Sequence, residues 1–242
     1  MRTSESSRDP FGRNLTFAML DALGRAIVTG EYDGERFPTE AELATQHLVS
    51  RSVTREAVKM LTAKGLLTAR PRKGTTVQPA SAWNLFDPDV LRWLLERKFS
   101  LDLLREFTEL RIAIEPAAAA LAARNADSRA IAAVQAGFER MEAAEAGTDD
   151  PLDSDIAFHI AVLNASGNAF YRQFRDVVAT ALQKSIRFTN RFNGRTASLP
   201  HHQAVLSAIE ARDDAAAAAA MTVIIADVRD LIAGVEGQVP LR

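Results

Sequence analysis

The sequence contains no cysteine, which excludes a disulfide framework and any metal site built on thiolate ligands. It also has no apolar run close to the roughly 18 residues that a membrane-spanning helix requires. The N-terminal residues, MRTSESSRDPFGRN, are polar and lack the apolar core of a signal peptide. From these absences we expect a cytoplasmic protein with no membrane partner.

A strong net charge is absent as well. The 242 residues carry a net charge of −2, which argues against a structural protein that coats nucleic acid. Hydrophobic residues make up 47% of the chain and charged residues 25%, so the composition is that of a folded globular protein and not of a disordered one. Strand-like alternation is scarce after residue 77 and alanine is abundant, which predicts a mainly helical chain.

Residues 36–77 combine two short amphipathic helices, a polar break between them and a basic hairpin tipped by proline and glycine. Thr39 is the expected N-cap of the first helix, with Glu42 as its capping-box partner. The second helix is predicted to bury an apolar stripe and to expose a basic face; the stripe is Val53, Ala57, Met60 and Leu61, and the basic face is Arg51, Arg55 and Lys59. This order of elements is typical of a winged helix-turn-helix, which places one helix in the major groove of DNA.

The distribution of charge supports DNA binding locally. Residues 48–80 contain one acid, Glu56, and seven basic residues, a net charge of +6; the basic residues are Arg51, Arg55, Lys59, Lys64, Arg70, Arg72 and Lys73. Beyond residue 80, the 17 basic and 22 acidic residues give a net charge of −5. A stripe of arginines is most often a solvated helix face. Here a capped helix precedes it and a basic hairpin follows it, which favours a DNA-binding surface.

We therefore predict a mainly α fold, with an N-terminal winged helix-turn-helix and a C-terminal all-α helical bundle. The predicted boundaries are a disordered arm over residues 1–12, the winged helix-turn-helix over 13–78, a linker over 79–86 and the helical domain over 87–242. Glycines and capping residues divide the second domain into helices, which are predicted at 87–97, 101–124, 128–146, 151–166, 168–193, 199–211 and 213–235.

Two groups of polar residues in the helical domain could carry chemistry. Asp155 and His159 are four residues apart and share a helix face, and His202 follows later in the chain. Carboxylate and imidazole ligands suit a divalent transition metal, although such a pair on a helix is more often only hydrogen-bonded. Arg111 lies on an apolar helix, where it could form an ion pair with Glu115 or clamp the carboxylate of a ligand.

The segment from Pro38 to Val77 resembles the winged-helix domain of the GntR regulators. Three later segments resemble the FCD ligand-binding domain of the FadR branch of that family: ELRIAIEPAAAALAA, DIAFHIAVLNASGN and HHQAVLSAI. A further segment, WNLFDPDVLRWLLE, is similar to one in the galactonate-operon repressors of that branch. The resemblance implies a homodimer that binds a near-palindromic operator in double-stranded DNA, with an FCD-like domain for effector binding and dimerisation.

The resemblance also implies roles for residues of the DNA-binding domain. Arg51 and Arg55 match positions that read bases or clamp phosphates, and Gly74 matches a glycine at the tip of the wing. The complete set of predicted DNA-contacting residues is Thr39, Arg51, Ser52, Thr54, Arg55, Arg72, Lys73 and Gly74. Ala41 stands where the family often has arginine, and Val53 and Thr54 stand where proline and valine are usual. We therefore expect an operator sequence that differs from the family consensus.

In the helical domain, Asp155, His159 and His202 match three of the four metal-ligand positions of FCD domains. The fourth position, usually a histidine, is Ile224 in this sequence. A bound zinc, nickel or manganese ion is therefore expected to be held more weakly than in an intact site. Asp227, one helical turn after Ile224, could compensate for the missing ligand.

The resemblance favours Arg111 as a clamp for an effector carboxylate. Arg187, Asn190 and Arg229 are predicted to reach inward from their helices and to complete the effector site. Such hydrogen-bond donors suit a polyhydroxylated acid better than an acyl chain. The predicted effector is therefore a small carboxylate of the sugar-acid class.

We predict a ligand-responsive transcriptional regulator, most simply a repressor of a sugar-acid operon such as one for galactonate, which the effector releases from its operator. The alternative is a metal-dependent enzyme that acts on a small carboxylate and is fused to a DNA-binding head. In that enzyme, Asp155, His159 and His202 would hold a metal that activates water. The sequence contains no glycine-rich phosphate loop and no nucleophile elbow, which argues against the enzyme.

Overall fold

The computed structural model describes residues 10–70, 74–97, 101–183 and 198–236. Its contacts divide the chain into two compact units, Met1–Lys98 and Phe99–Arg242. Both units are built mainly from helices, so the predicted fold class is confirmed. Within the described ranges, none of the helices combines the length and apolar character that crossing a membrane would need.

The first unit is a small helical domain followed by a two-stranded wing. Its elements are α1 (Pro10–Val28), α2 (Glu40–Gln46), α3 (Arg51–Ala63), β1 (Leu67–Arg70), β2 (Gly74–Val77), a 3-10 turn (Ala80–Ala82) and α4 (Pro88–Arg97). The strands are antiparallel, and Leu67 pairs with Val77 at one end of the hairpin and Arg70 with Gly74 at the other. Apolar residues of α1, α2, α3 and α4 form one core, in which Leu23, Leu43 and Leu61 are fully buried.

Local capping fixes where the helices of the helix-turn-helix begin. At α2, the Thr39 hydroxyl accepts a hydrogen bond from the Glu42 amide at 3.3 Å, and the Glu42 carboxylate accepts one from the Thr39 amide at 2.7 Å. This is the predicted capping box. At α3, the Ser50 hydroxyl accepts a hydrogen bond from the Val53 amide at 3.3 Å. The turn between these helices contains Leu48, which has a positive φ of 53°.

The buried stripe of α3 differs from the predicted one. Thr54, Ala57, Val58 and Leu61 are buried, whereas Val53 and Met60 are only partly buried. Ala57 and Leu61 were predicted correctly, and the buried face is turned from Val53 and Met60 toward Thr54 and Val58. A buried threonine is tolerated at this position because its hydroxyl donates to the Ser50 carbonyl at 3.3 Å.

The predicted domain boundary at residue 87 is wrong, because α4 packs in the first unit. Trp93 of α4 is 1% exposed and lies so close to Gly24 of α1 that a Cβ added there would approach the ring to 2.4 Å. The second unit therefore starts at Phe99. At the other end, α1 begins at Pro10, so the last three residues of the predicted arm over 1–12 are helical. The first nine lie outside the described residues.

The second unit is a bundle of helices around a single apolar core. Its elements are α5 (Leu101–Asn125), α6 (Ser128–Glu145), α7 (Pro151–Ala165), α8 (Ala169–Gln173), α9 (described over 175–183), α10 (Leu199–Glu210) and α11 (Asp214–Glu236). The long helices α5 and α11 pack along each other, α7 lies against α5 and α6, and α10 contacts α5, α6 and α11. The alanines at 118, 119, 122 and 123 of α5 are fully buried, which allows close approach of neighbouring helices.

Most predicted helix boundaries of the second unit agree with the structure to within a few residues. Asp150 caps α7 through its side chain, and Pro151 follows as the first helical residue, as expected. The single helix predicted over 168–193 is instead interrupted at Phe174, which separates α8 from α9. Residues 184–197 lie outside the described part of the chain.

Candidate functional site

The N-terminal half of α3 presents the predicted basic surface. Arg51, Ser52 and Arg55 are exposed on this helix. Among the described residues, no acidic side chain pairs with Arg51 or Arg55. The first turns of a recognition helix are the part that meets base edges in the major groove. Both guanidiniums are therefore available where a helix-turn-helix needs them.

Only part of the predicted DNA-contact set on the wing lies within the described residues. Gly74 has a positive φ of 77° at the start of β2, and open space surrounds the position of a Cβ. This is consistent with a glycine at the tip of a tight hairpin. Arg72 and Lys73 lie outside the described residues. Thr39 is exposed, although its hydroxyl oxygen already caps α2.

Two residues of the basic segment have other roles. Thr54, predicted to contact DNA, is fully buried in the core and cannot reach a groove from that position. The ammonium group of Lys64 lies 2.7 Å from the Asp87 carboxylate and 2.9 Å from the Asp89 carboxylate. It therefore connects the end of α3 to the start of α4. The positive charge available for DNA is smaller than the sequence count suggested.

In the second unit, the structure brings together Asp155, His159 and His202, and these three side chains are almost completely buried. One ligand atom from each lies within 4.8 Å of the other two. Asp155 and His159 come from α7, where they share one face, and His202 comes from α10. The ring of Phe158 closes one side, with its centroid 5.0 Å from that of His202. The predicted convergence of these residues is observed.

Hydrogen bonds to the outer nitrogens orient both histidines. His202 Nδ1 lies 2.8 Å from the backbone carbonyl oxygen of Ser198, so it donates its proton there and leaves a lone pair on Nε2. His159 Nδ1 lies 2.6 Å from Glu115 Oε2, which fixes the same tautomer and leaves Nε2 facing Asp155 at 3.6 Å. Both unprotonated nitrogens thus face the carboxylate of Asp155.

Two of the atoms that meet in this cluster lack a well-aligned hydrogen-bond partner in the described part of the chain. Asp155 Oδ1 and His202 Nε2 are buried 3.0 Å apart, and neither has a correctly aligned hydrogen-bond partner among the described residues. Two lone pairs facing each other in a buried site are costly unless a proton or a cation lies between them. Burial raises the pKa of Asp155, but hydrogen bonding by His202 and the positive charges of His159, His202 and Arg111, with the imidazoles in their protonated form, outweigh it and hold the pKa below its ordinary value. The donor set fits a divalent transition metal.

Arg111 and Glu115 of α5 lie beside this cluster as a buried ion pair. The Arg111 Nε and Nη2 atoms both donate to the Glu115 carboxylate, the second at 3.2 Å. Arg111 Nη2 also lies 3.4 Å from His159 Nε2. Burial alone would raise the pKa of Glu115, but the charge of Arg111 and the contact with His159 hold it well below its usual range. The ion-pair interpretation of Arg111 is therefore correct, and it places a guanidinium next to the cluster.

Other predicted site residues are placed differently. Ile224 is buried in the apolar core of the second unit. Asp227 does not join the cluster, because its carboxylate is half exposed and lies 3.3 Å from His201 Nδ1. Arg229 is exposed and pairs with the adjacent Asp230, so it does not reach inward as expected. The two remaining predicted effector contacts, Arg187 and Asn190, lie outside the described residues.

Comparison with known proteins agrees with this architecture. Residues 18–77 match the family described as bacterial regulatory proteins, gntR family, and residues 106–227 match the FCD domain. The chain is 34% identical over 224 residues to the galactonate operon transcriptional repressor of Escherichia coli (strain K12), covering 90% of this chain and 97% of that protein. It is 33% identical over 216 residues to the HTH-type transcriptional regulator YieP of the same organism, covering 85% and 90%.

The chain belongs to the GntR family of transcriptional regulators. A solved structure of Lar, described as controlling the expression of the Listeria monocytogenes agr system, has a TM-score of 0.57 at 16% identity and supports the fold alone. It covers 96% of this chain and 99% of that one. As a GntR regulator with an FCD domain, the protein is of the class that binds operator DNA and a small-molecule effector. Its relatives are regulators, which favours this function over the enzyme alternative.

Sequence reasoning missed the second role of Glu115 in this GntR regulator. It was considered only as the ion-pair partner of Arg111, four residues away, and its contact with His159 of α7 joins residues distant in the chain. The signal available in the sequence was an acidic residue on an otherwise apolar helix face. Such a residue needs a partner when it is buried.

Proposed function

We propose that this GntR regulator is a homodimeric repressor of a sugar-acid operon, and that a hexonate such as galactonate releases it from its operator. The observation that carries the proposal is the buried cluster of Asp155, His159 and His202 with the guanidinium of Arg111 beside it. Such a site concentrates positive charge and oriented donors inside the FCD domain once a cation is bound. A small anionic, hydroxylated ligand is the chemistry that this arrangement suits.

The residues that would hold the metal are Asp155, His159 and His202. The unprotonated nitrogens and the unpartnered carboxylate oxygen all face one region, which is the arrangement that a cation would satisfy. A bound divalent ion would supply positive charge for the carboxylate and hydroxyl oxygens of the effector. Because an isoleucine occupies the usual fourth position, we expect zinc, nickel or manganese to bind less tightly than at a four-ligand site.

Arg111 supports the choice of a carboxylate effector. A guanidinium binds a carboxylate through two parallel hydrogen bonds, but in this chain Glu115 already accepts from Nε and Nη2. An effector carboxylate must therefore share the guanidinium with Glu115 or displace the Glu115 carboxylate from it. A long acyl chain that entered between Arg111 and Glu115 would leave their buried polar atoms without partners, at about 1–3 kcal/mol for each group. Arg187 and Asn190 remain predicted contributors.

The proposed mechanism is allosteric. Arg51 and Arg55 would bind operator half-sites about one helical turn apart in a dimer. Effector binding would favour a spacing of the two DNA-binding heads that no longer matches the operator. A coupling free energy of about 1–3 kcal/mol between the two ligands would be sufficient for regulation.

Isothermal titration calorimetry tests the effector assignment directly. We expect heat of binding for galactonate or one of its stereoisomers with the zinc-loaded protein, and weaker binding after chelation. The matched comparison is a fatty acyl thioester, for which we expect no heat. Tight binding of the thioester, together with no binding of any sugar acid, would contradict the proposed effector and leave the assignment to the GntR family intact.

The role of Arg111 requires a variant that does not leave a buried charge unpaired. Arg111→Ala would strand Glu115, and breaking a buried pair costs about 3–5 kcal/mol of stability. The double variant Arg111→Gln with Glu115→Gln removes both charges; glutamine matches the size of Glu115 but is shorter than Arg111. We expect this variant to bind operator normally and to lose its response to the sugar acid. A full response would remove Arg111 from the effector site.

A further inference from the structure

Glu115 contacts the metal-binding cluster and the effector-binding guanidinium at the same time. Its side chain is almost fully buried on α5. Oε2 lies 2.6 Å from His159 Nδ1 on α7, and both carboxylate oxygens accept hydrogen bonds from Arg111. Glu115 therefore connects His159, which is proposed to bind the metal, with Arg111, which is proposed to bind the effector.

We propose that Glu115 is a positioning residue that holds His159 in its metal-binding tautomer and couples metal binding to effector binding through Arg111. This inference rests on the proposed function and assigns the communication within that site to one side chain. A carboxylate can only accept hydrogen bonds, so His159 must carry its proton on Nδ1 and present the lone pair of Nε2 to the cluster.

His202 provides an internal comparison. Its Nδ1 donates to the backbone carbonyl of Ser198, four residues earlier in the chain. That contact is local and does not depend on a side chain that Arg111 also uses. Only His159 is oriented by a group shared with the guanidinium. Any ligand that draws Arg111 away from Glu115 would therefore change the environment of His159 and not that of His202.

The expected consequence is positive coupling between the two ligands. When an effector carboxylate binds Arg111, it competes with Glu115 for the guanidinium donors. Glu115 then accepts a stronger hydrogen bond from His159 Nδ1–H, which draws that proton away from the ring and makes Nε2 a better metal ligand. By linkage, bound zinc must increase the affinity for the effector by the same factor.

The variant Glu115→Gln tests the proposal, because glutamine keeps the shape but can donate as well as accept a hydrogen bond. Glu109→Gln is the matched control: Glu109 lies on the same helix and pairs with Arg105, four residues earlier, at 3.0 Å on an exposed surface. In the full-length protein, we expect Glu115→Gln to lower zinc affinity about 10- to 100-fold. Zinc affinity of Glu109→Gln should equal that of the wild type.

Long-range nitrogen-15 NMR spectra of the metal-free protein separate positioning from a general structural effect. We expect one tautomer at His159 in the wild type, a mixture in Glu115→Gln and an unchanged His202 in both. If Glu115→Gln does not fold, the double variant Arg111→Gln with Glu115→Gln provides the same measurement without a buried net charge. An unchanged His159 tautomer in a folded variant would overturn the proposal.

Zinc titrations with and without galactonate distinguish failure of this proposal from failure of the proposed function. A wild-type protein that binds neither zinc nor galactonate would refute the proposed effector site, while the tautomer measurement would still decide whether Glu115 positions His159. If both ligands bind but neither changes the affinity for the other, the proposed coupling through Glu115 is refuted.

Discussion

At the scale of single residues, positive charge near α3 serves two purposes. Arg51 and Arg55 are exposed, and no described acid neutralises them. Lys64, at the end of the same helix, is only 13% exposed in its side chain and is held by Asp87 and Asp89. A charge that already has two close partners contributes little to DNA binding. Within α3 and its C-cap, the positive charge without a described acidic partner is therefore that of Arg51 and Arg55, in the N-terminal half of the helix.

Truncation of Arg55 tests this division of roles. We expect Arg55→Ala to weaken operator binding by about 1–3 kcal/mol if the guanidinium reads a base. Folding should be unaffected, because the side chain lies outside the core. Lys59→Ala is the comparison on the same basic face: Lys59 is exposed further from the N-terminus of the helix, so loss of its charge should weaken operator binding less than Arg55→Ala does. Gel shifts at one fixed salt concentration that show wild-type affinity for Arg55→Ala would remove it from the contact set.

The backbone of Leu48 has a strained conformation that affects stability. It is 92% exposed in the turn between α2 and α3, and its φ of 53° lies in the left-handed region. That region costs a residue with a Cβ about 1–2 kcal/mol. Glycine would remove this cost. It would also stabilise the unfolded state by about 0.4–1 kcal/mol, because the unfolded chain gains conformational entropy.

We therefore expect Leu48→Gly to raise the free energy of unfolding by about 0.5–1 kcal/mol. Leu48→Ala keeps the Cβ and the strained φ, so it should leave stability nearly unchanged. Urea denaturation of the three proteins makes the comparison. A loss of stability in Leu48→Gly would show that the exposed leucine side chain stabilises the turn by some contact that outweighs its strain.

At the scale of elements, α4 is fixed to the rest of the first unit by packing and by charge. Trp93 fills the space beside Gly24 of α1, and its indole nitrogen donates to the Asp21 carboxylate at 2.7 Å. Arg92 also contacts Asp21, at 2.8 Å. Burial alone would raise the pKa of Asp21, but these hydrogen bonds and one from Arg25 lower it to about 2. Asp21 is therefore ionised at neutral pH and remains available to hold α4.

Substitution of Gly24 tests the importance of this packing. In an open helix position, Gly→Ala stabilises by about 1 kcal/mol through helix propensity. At Gly24 the new Cβ would lie 2.4 Å from the Trp93 ring, so α4 must move. We expect Gly24→Ala to destabilise the protein by about 1–3 kcal/mol, as overpacking does.

Gly234→Ala on α11 is the matched control, because nothing lies within 4 Å of its Cβ position. It should be neutral or slightly stabilising in the same denaturation experiment. Equal effects of the two substitutions would show that α4 is not held against α1 in solution.

The accuracy of the sequence predictions depends on how local each determinant is. The capping box of α2 was predictable because Thr39 and Glu42 are three residues apart. The docking of α4 was not, because an amphipathic pattern shows that one face is buried without showing what covers it. For the same reason, Asp155 and His159 could be paired from their spacing on one helix. The contact between Glu115 and His159 could not be predicted, because it joins two different helices, α5 and α7. The resemblance to FCD domains, and not the spacing, connected His202 to them.

At the scale of the whole molecule, a basic DNA-binding surface and an acidic helical unit are parts of one chain. This suits a regulator in which operator and effector influence each other without sharing a site. If the coupling is purely thermodynamic, the factor by which effector weakens operator binding equals the factor by which operator weakens effector binding. This reciprocity provides a test of the entire proposed function.

We expect galactonate, or the stereoisomer that binds most tightly, to weaken operator binding by about 5- to 150-fold. The affinity for the same sugar acid should fall by an equal factor when operator DNA is present. Chelation of the metal should move both factors toward one, because the proposed effector site includes the cation held by Asp155, His159 and His202. Fluorescence anisotropy with labelled operator measures the first factor, and calorimetry measures the second.

Salt concentration must be held constant in these titrations, because contacts between basic side chains and phosphates weaken steeply as salt increases. An unrelated duplex of the same length controls for binding that does not depend on sequence. If chelated protein kept the full effect of the sugar acid on operator binding, the metal would have no part in effector recognition. If the sugar acid bound tightly but left operator affinity unchanged, it would be a ligand of the FCD domain and not the signal that this regulator detects.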